Sequence, residues 1–229
     1  MQPKTPLSQN DSVSTAEFVR AATRLAPVPF VPELSLYQAG DIYELWEQTE
    51  HELGSTGLPP PFWGVAWPGG QALARYVLDN PAVVAGRSVL DYGSGSGLVA
   101  IAATRAGASQ IIATEPDPLA RAAIELNATA NGVPAPTWAE DAAGLSPAPD
   151  IVLAGDVWYE KELADRVSAY LDLAASCGAR VLTGDIGRTY FPRSRYHCLT
   201  TYEMPASVAL EGRPALRASV WEAGQFHDP

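Results

Sequence analysis

Residues 89–97 read VLDYGSGSG, an apolar run that ends in an acid and breaks at once into glycines at every second position. No other stretch limits the fold of this chain so tightly. Ser88 to Leu90 has the character of a buried strand, and Leu98–Ala102 (LVAIA) suits a helix. Between them Gly93, Gly95 and Gly97 let the backbone turn sharply and bring N–H groups against a ligand with no Cβ in the way. A strand, a glycine turn and a helix in that order are the usual seat of a nucleotide-type ligand.

The spacing then chooses among such ligands. A G-x-G-x-x-G dinucleotide fingerprint needs its third glycine at position 98, where Leu98 stands. Asp91, at the mouth of the turn, would repel a pyrophosphate. A ligand with an amine and a sulfonium but no phosphate suits that acid, which points to S-adenosylmethionine. Gln110–Thr114 (QIIAT) reads as the next strand, and Glu115 closes it 24 positions after Asp91. An acid about 20 residues past the glycine turn accepts hydrogen bonds from ribose hydroxyls. The competing reading, GSGSG as a flexible turn and nothing more, leaves the offset of Glu115 unexplained.

A chain of 229 residues, 47% hydrophobic, fits one large α/β domain or one domain with an N-terminal extension. Its net charge of −11 argues against a general grip on nucleic acid, which needs a basic surface to neutralise phosphates. Cys177 and Cys198 show no metal-ligand spacing, and His51, His197 and His227 are scattered, so no metal is expected. The cysteines read as free thiols in a reducing compartment. With no apolar run of about 18 residues and no secretory leader, a soluble cytoplasmic protein, free of any membrane, is expected. Nearly all of the 15 basic residues are arginine, as in GC-rich coding, and a bacterial source is expected.

Taken in order, residues 1–14 are polar and aperiodic and are expected to form a disordered tail. Thr15–Leu25 has helical spacing, Ala26–Leu36 must run extended around Pro27, Pro29 and Pro32, and Asp41–Leu53 is helical again. Residues 15–58 thus form a cover, and residues 59–229 the ligand-binding domain. PPPFWGVAWPGGQ (Pro59–Gln71) is rigid and aromatic, able to present an apolar wall. Trp63 could equally fill a small satellite core. Trp67 is the better ligand contact, because it directly precedes a helix expected over Gln71–Leu78.

Further on, helices are expected over Pro118–Asn131 and Leu163–Ala174. Strands are expected at Thr137–Ala139, Asp150–Ala154 and Arg180–Thr183, with a final antiparallel pair at Tyr196–Met204 and Ala215–Glu222. Asp141 follows a strand end, where it would meet the adenine. Strands alternating with helices give a doubly wound, mainly parallel α/β sheet with its ligand at the strand C-termini.

Asp156-Val157-Trp158-Tyr159 follows the fourth core strand, at the same edge as Gly93 and Glu115. Methyl transfer from a sulfonium to a lysine amine needs alignment and dryness. An acid can orient the amine, and aromatic walls can hold the aliphatic stem and tolerate methylated ammonium through cation–π contact. Asp156, Trp158 and Tyr159 supply such groups. The proton itself can leave to solvent before the chemical step. On the other reading Asp156 caps a helix starting near Glu160, with Trp158 and Tyr159 in the core.

VLDYGSGSG, Glu115 and Asp156–Tyr159 together resemble the seven-β-strand (class I) methyltransferases, in the branch that modifies protein lysines. FWGVAWPGGQALARYVLDNP (Phe62–Pro81), AGDVWYEKE (Ala154–Glu162) and GDIGRTYFP (Gly184–Pro192) are similar to the electron transfer flavoprotein β-subunit lysine methyltransferases. The resemblance covers roughly residues 60–192. It implies a seven-stranded Rossmann-like sheet, S-adenosylmethionine as cofactor, and a protein substrate, the flavoprotein β subunit. It also implies that Trp67, Asp91, Tyr92, Gly93, Gly95 and Gly97 contact the cofactor, with Glu115 at its ribose and Asp141 at its adenine. Asp156 and Tyr159 would then act at the target amine. Alternatives are a methyltransferase of a ribosomal protein (L11 or L7/L12) or of a small-molecule amine, and a non-catalytic cofactor-binding regulator.

Overall fold

The computed structural model describes residues 14–139, 142–145, 148–205, 212 and 214–224. All but one residue of the expected disordered tail, together with Asp141, lie outside the described residues.

The chain opens with α1 (Thr15–Ala22), capped by Ser14, whose hydroxyl and amide exchange hydrogen bonds with Glu17. The helix stops three residues short of the expected end. Arg24–Val28 (β1) instead pairs antiparallel with Val31–Gln38 (β2), so Leu25 sits half-exposed in a strand. Pro27 explains the early stop, since its ring forbids a continuing helix while an edge strand tolerates it. Asp41 then caps α2 (Ile42–Leu53), which Gly54 ends in a left-handed turn.

Next come α3 (Pro68–Asp79), β3 (Ser88–Tyr92), α4 (Leu98–Arg105), β4 (Gln110–Thr114), α5 (Pro118–Ala130) and β5 (Thr137–Ala139). They are followed by β6 (Ile151–Gly155), α6 (Lys161–Ser176), β7 (Arg180–Asp185), β8 (Tyr196–Pro205) and β9 (Ala215–Ala223). Among the described residues, seven strands form one sheet in the order β5-β4-β3-β6-β7-β9-β8. It is parallel from β5 to β7, and β9 runs antiparallel between β7 and β8. The order reverses between β3 and β6, and a crevice opens at such a point outside the strand ends.

Side chains of β3 divide between the two faces as a strand's period of two requires. Val89 packs with Leu73, Val99 and Ala100 of α3 and α4, while Leu90 packs with Val167 and Leu171 of α6. The β1–β2 hairpin is no loose cover: Val28, Val31, Leu34 and Leu36 are fully buried against Ala74, Leu98, Ile101 and Ala128. Trp63 joins a satellite core with Phe18, Leu45 and Leu119.

Helix α3 meets the sheet backbone to backbone. Gly155 and Gly184 are register partners at the ends of β6 and β7. A Cβ on Gly184 would overlap the Gly69 carbonyl, and one on Gly155 would come within 2.9 Å of the Gly70 Cα. Only glycine allows the helix to start so close to the strand ends. Gly184→Ala is therefore expected to lower stability by about 1–3 kcal/mol or more through overpacking. A urea midpoint unchanged from wild type would show that the approach is not so tight.

Candidate functional site

The loops after β3, β4, β6 and β7 leave the sheet at one edge, and the register places them side by side: Tyr92 beside Thr114, Asp91 beside Leu153, Gly155 beside Gly184. The cleft between them is lined by Val65, Trp67, Gly70, Asp91, the turn from Gly93 to Ser96, and Asp156. Gly93, Gly95 and Gly97 all have positive φ (65°, 54° and 79°), the left-handed region that glycine enters without penalty.

Two acids hold that turn. Asp91 is 2% exposed and accepts from the Ser94 hydroxyl at 2.6 Å and the Ala100 amide at 3.0 Å, tying the turn to the first residues of α4. Burial pushes its carboxyl up to about 6, a rise that these two hydrogen bonds only partly offset. Glu115 accepts from the Gly95 amide at 2.9 Å and the Asp117 amide at 3.2 Å. Burial raises its carboxyl too. Carboxylate oxygens carry further lone pairs, so Glu115 can still accept from a ligand hydroxyl.

Asp156 is held in an uncommon way. It is the one non-glycine among the described residues with positive φ (57°), and it is 7% exposed. Its amide donates to the Gly184 carbonyl at 2.9 Å, and its Oδ2 accepts from the Gly70 amide at 2.6 Å. Helix α3 has Trp67 at its N-cap, with no side-chain cap, and Pro68 at its first position. Asp156 therefore supplies from another strand the cap that Trp67 lacks, with its negative charge at the positive end of the helix. The helix near Glu160 has no side-chain cap, so the expected alternative places this acid on the wrong helix.

Aromatic rings form the wall. Phe62 lies 5.8 Å from Trp67 and 5.1 Å from Tyr159, centroid to centroid. Trp67 is fixed by donation from its ring N–H to the Phe62 carbonyl at 2.8 Å. Tyr159 is 43% exposed, and burial, followed by the charges of Glu160 and Glu115, raises its hydroxyl. Trp158 is a different case: it is fully buried, donates to Thr183 and packs on Phe191, so it cannot wall a ligand. Tyr92 points to the α6 face, stacked on Tyr170 at 5.1 Å.

The structure thus brings Trp67, Asp91, Gly93, Gly95 and Asp156 to one cleft, with Gly97 opening α4 behind it. Glu115 adjoins it through the Gly95 amide, and Tyr159 through Phe62. It also adds residues that the sequence left unassigned. The Arg188 guanidinium lies 6.0 Å from the Trp67 ring centroid and 3.9 Å from Asp156 Oδ1. Asp185 accepts from the Gly187 and Arg188 amides at 2.6 and 2.8 Å and so fixes that loop. The signal was present in GDIGR, an acid two before a glycine at the end of a strand beside β6.

A cofactor of the expected kind can be tested against these groups. A Cβ added at Gly95 would meet nothing within 4 Å, so the turn approaches open space there. The charged side chains that line the cleft, Asp91 and Asp156, are carboxylates, and the remaining polar ones, Ser94 and Ser96, are hydroxyls, a set that suits hydroxyls and positive charge rather than phosphate. The residues fit.

The family model described as ribosomal protein L11 methyltransferase (PrmA) matches residues 71–155. The electron transfer flavoprotein beta subunit lysine methyltransferase of Mus musculus is 42% identical over 174 residues, covering 73% of this chain and 67% of the mouse protein. That of Xenopus laevis is 37% identical over 211 residues, 89% of this chain and 85% of the frog protein. Both are vertebrate proteins, which gives no support to a bacterial source. The solved structure of magnesium protoporphyrin IX methyltransferase from Synechocystis PCC 6803, with bound SAM, superposes with a TM-score of 0.50 at 16% identity. It covers 82% of this chain and 86% of that one, a likeness of fold. Among the described residues, no helix is long and apolar enough to cross a membrane.

The pH dependence of stability checks the burial of Asp91. Its carboxyl binds a proton more tightly in the folded chain (about 6) than at its ordinary 3.8. Its contribution is thus present below pH 3.8 and is lost as pH rises through about 6. Asp91→Asn keeps an acceptor for Ser94 and Ala100 and removes that titration. In urea melts the variant should gain on wild type between about pH 4.5 and about pH 7.5; parallel curves would contradict the assignment.

Proposed function

The chain belongs to the electron transfer flavoprotein β-subunit lysine methyltransferase family, and on that premise we propose that it is a protein-lysine N-methyltransferase. Its proposed cofactor is S-adenosylmethionine, and its proposed substrate is the flavoprotein β subunit. The observation that carries this reading is the strand-end cleft lined by Asp156 and Trp67, with Glu115 bonded to the Gly95 amide of its glycine turn and Phe62 and Tyr159 extending the Trp67 wall.

When bound, S-adenosylmethionine supplies an electrophilic methyl carbon. The chain's own residues do the rest. The turn at Gly93–Gly97 and the Glu115 carboxylate would hold the adenosyl part, the carboxylate at the ribose hydroxyls. Asp156 would accept hydrogens of the target amine and aim its lone pair. Phe62, Trp67 and Tyr159 would exclude water and line the aliphatic stem, their faces favourable to ammonium groups. Because Asp156 is already clamped by the Gly70 and Gly184 backbone, little ordering remains when the amine arrives.

The second reading is methylation of ribosomal protein L11, favoured by the family model over residues 71–155. That span holds the cofactor half but neither the Phe62–Trp67 wall nor the Gly184–Arg188 loop, and the longer likeness to the flavoprotein enzymes weighs against it. Incubation with methyl-labelled cofactor and each purified protein separates the two. Label on lysine of the flavoprotein β subunit, located by mass spectrometry, is the expected result. Label on L11 alone would overturn the choice.

Glu115→Ala should weaken cofactor binding by about 1–3 kcal/mol through lost hydrogen bonds, read by calorimetry; unchanged affinity would remove Glu115 from the site. Asp156→Asn preserves a cap for Gly70 and tolerates positive φ, so it tests the charge alone. It should fold and bind cofactor yet lose methyl transfer by about 100-fold or more, within the range for positioned polar groups. Normal turnover would exclude Asp156 from the amine site.

A further inference from the structure

The lysine-methyltransferase reading leaves one charged group beside the cleft without a role. Arg188 stands at the end of a loop that Asp185, itself 1% exposed, fixes through two backbone amides. Gly187 supplies the turn at φ 87°. The loop leaves β7 beside β6, so Arg188 returns to the edge that carries Asp156. There the guanidinium lies 3.9 Å from Asp156 Oδ1 and 6.0 Å from the centre of the Trp67 ring. It is thus placed where a second cation, the side chain of a substrate lysine, would also approach the acid.

That placement bears on a general problem of amine methylation. A free lysine has a pKa of about 10.4, so near neutral pH almost all of it is ammonium, with no lone pair to attack. A lone carboxylate makes matters worse, because opposite charge favours the protonated form. An arginine at the carboxylate cancels that effect, and it does so at every working pH because guanidinium does not deprotonate.

Resting on the reading above, we infer that Arg188 sets the charge of the amine end of the cleft. Beside Asp156 it disfavours the ammonium and lets the lysine dwell as neutral amine. The step is a plain proton loss. R–NH3+ gives one proton to water and keeps the N–H bonding pair as its lone pair, with no oxidant or other co-reactant. Other charged or titratable groups act on this end as well. The Tyr159 hydroxyl feels Glu160, Glu115, Arg166 and Arg188, and Asp185 feels Arg188. Arg188 contacts Asp156 directly.

Two measurements on the full chain test this, with Arg188→Gln, Arg188→Met as a second neutral variant should the first not fold, and Arg188→Lys to restore charge. The first needs no turnover. S-adenosylmethionine and S-adenosylhomocysteine differ by a methyl group and the positive charge on sulfur. Removing a nearby cation should therefore tighten the former relative to the latter several-fold by calorimetry. A merely structural role would move both affinities together. The second is the pH profile of methyl transfer to the flavoprotein β subunit at saturating substrate. The neutral variant should shift its acidic limb upward by about one pH unit, and Arg188→Lys should bring it back.

An active neutral variant with an unshifted limb overturns the inference alone, as does an unchanged ratio of affinities. Wild-type protein that binds both ligands but methylates no lysine overturns the reading beneath it, and the inference with it.

Discussion

The hydrogen bond from the Gly70 amide to Asp156 Oδ2 is the contact on which the cleft depends. It joins the start of α3 to the end of β6 across 86 residues of chain. It needs an acid in a left-handed conformation and glycines at 69, 155 and 184 where backbones touch. Each requirement is costly in isolation. Aspartate tolerates positive φ better than most residues, but that conformation still persists only where the surroundings enforce it. Here the Gly184 carbonyl and the Gly70 amide enforce it, and the helix gains the cap that Trp67 cannot provide.

The same bond couples fold to chemistry. Pinning α3 fixes Trp67 at its first turn, and Trp67 fixes Phe62, whose carbonyl it holds. Phe62 in turn carries Tyr159. An acid that serves as a helix cap is thereby also the acid that the proposed reaction requires, already oriented. The charge pattern follows a similar logic. Asp91 is spent on the loop itself, Glu115 is shared between the loop and the space before it, and Asp156 shares its second oxygen's surroundings with Arg188.

Most of this fold is legible in the sequence because parallel strands and their helices leave periodic traces. The strands at Gln110–Thr114 and Thr137–Ala139 fall where their residues place them. The β1–β2 hairpin was less legible, since three prolines announce extended chain but not what it pairs with. Within the cleft, the glycine turn and the acids at 115 and 156 could be read from spacing. What Asp156 caps could not, because its partner lies 86 residues away. Trp158 and Tyr159 are neighbours of like composition, yet one is core and the other half-exposed, a division set by which face of the β6–α6 turn each meets. Arg188 escaped notice for the same reason: a loop residue acquires its role from the neighbouring strand.

The central claim is that one cleft, built from the ends of β3, β4 and β6 and the start of α3, receives the cofactor. Hydrogen–deuterium exchange of the full chain with and without S-adenosylhomocysteine tests it most directly. Slowed exchange is expected together in three stretches: residues 67–71, 93–98 and 155–157. Protection confined to other parts of the chain, with these three unchanged, would contradict the account.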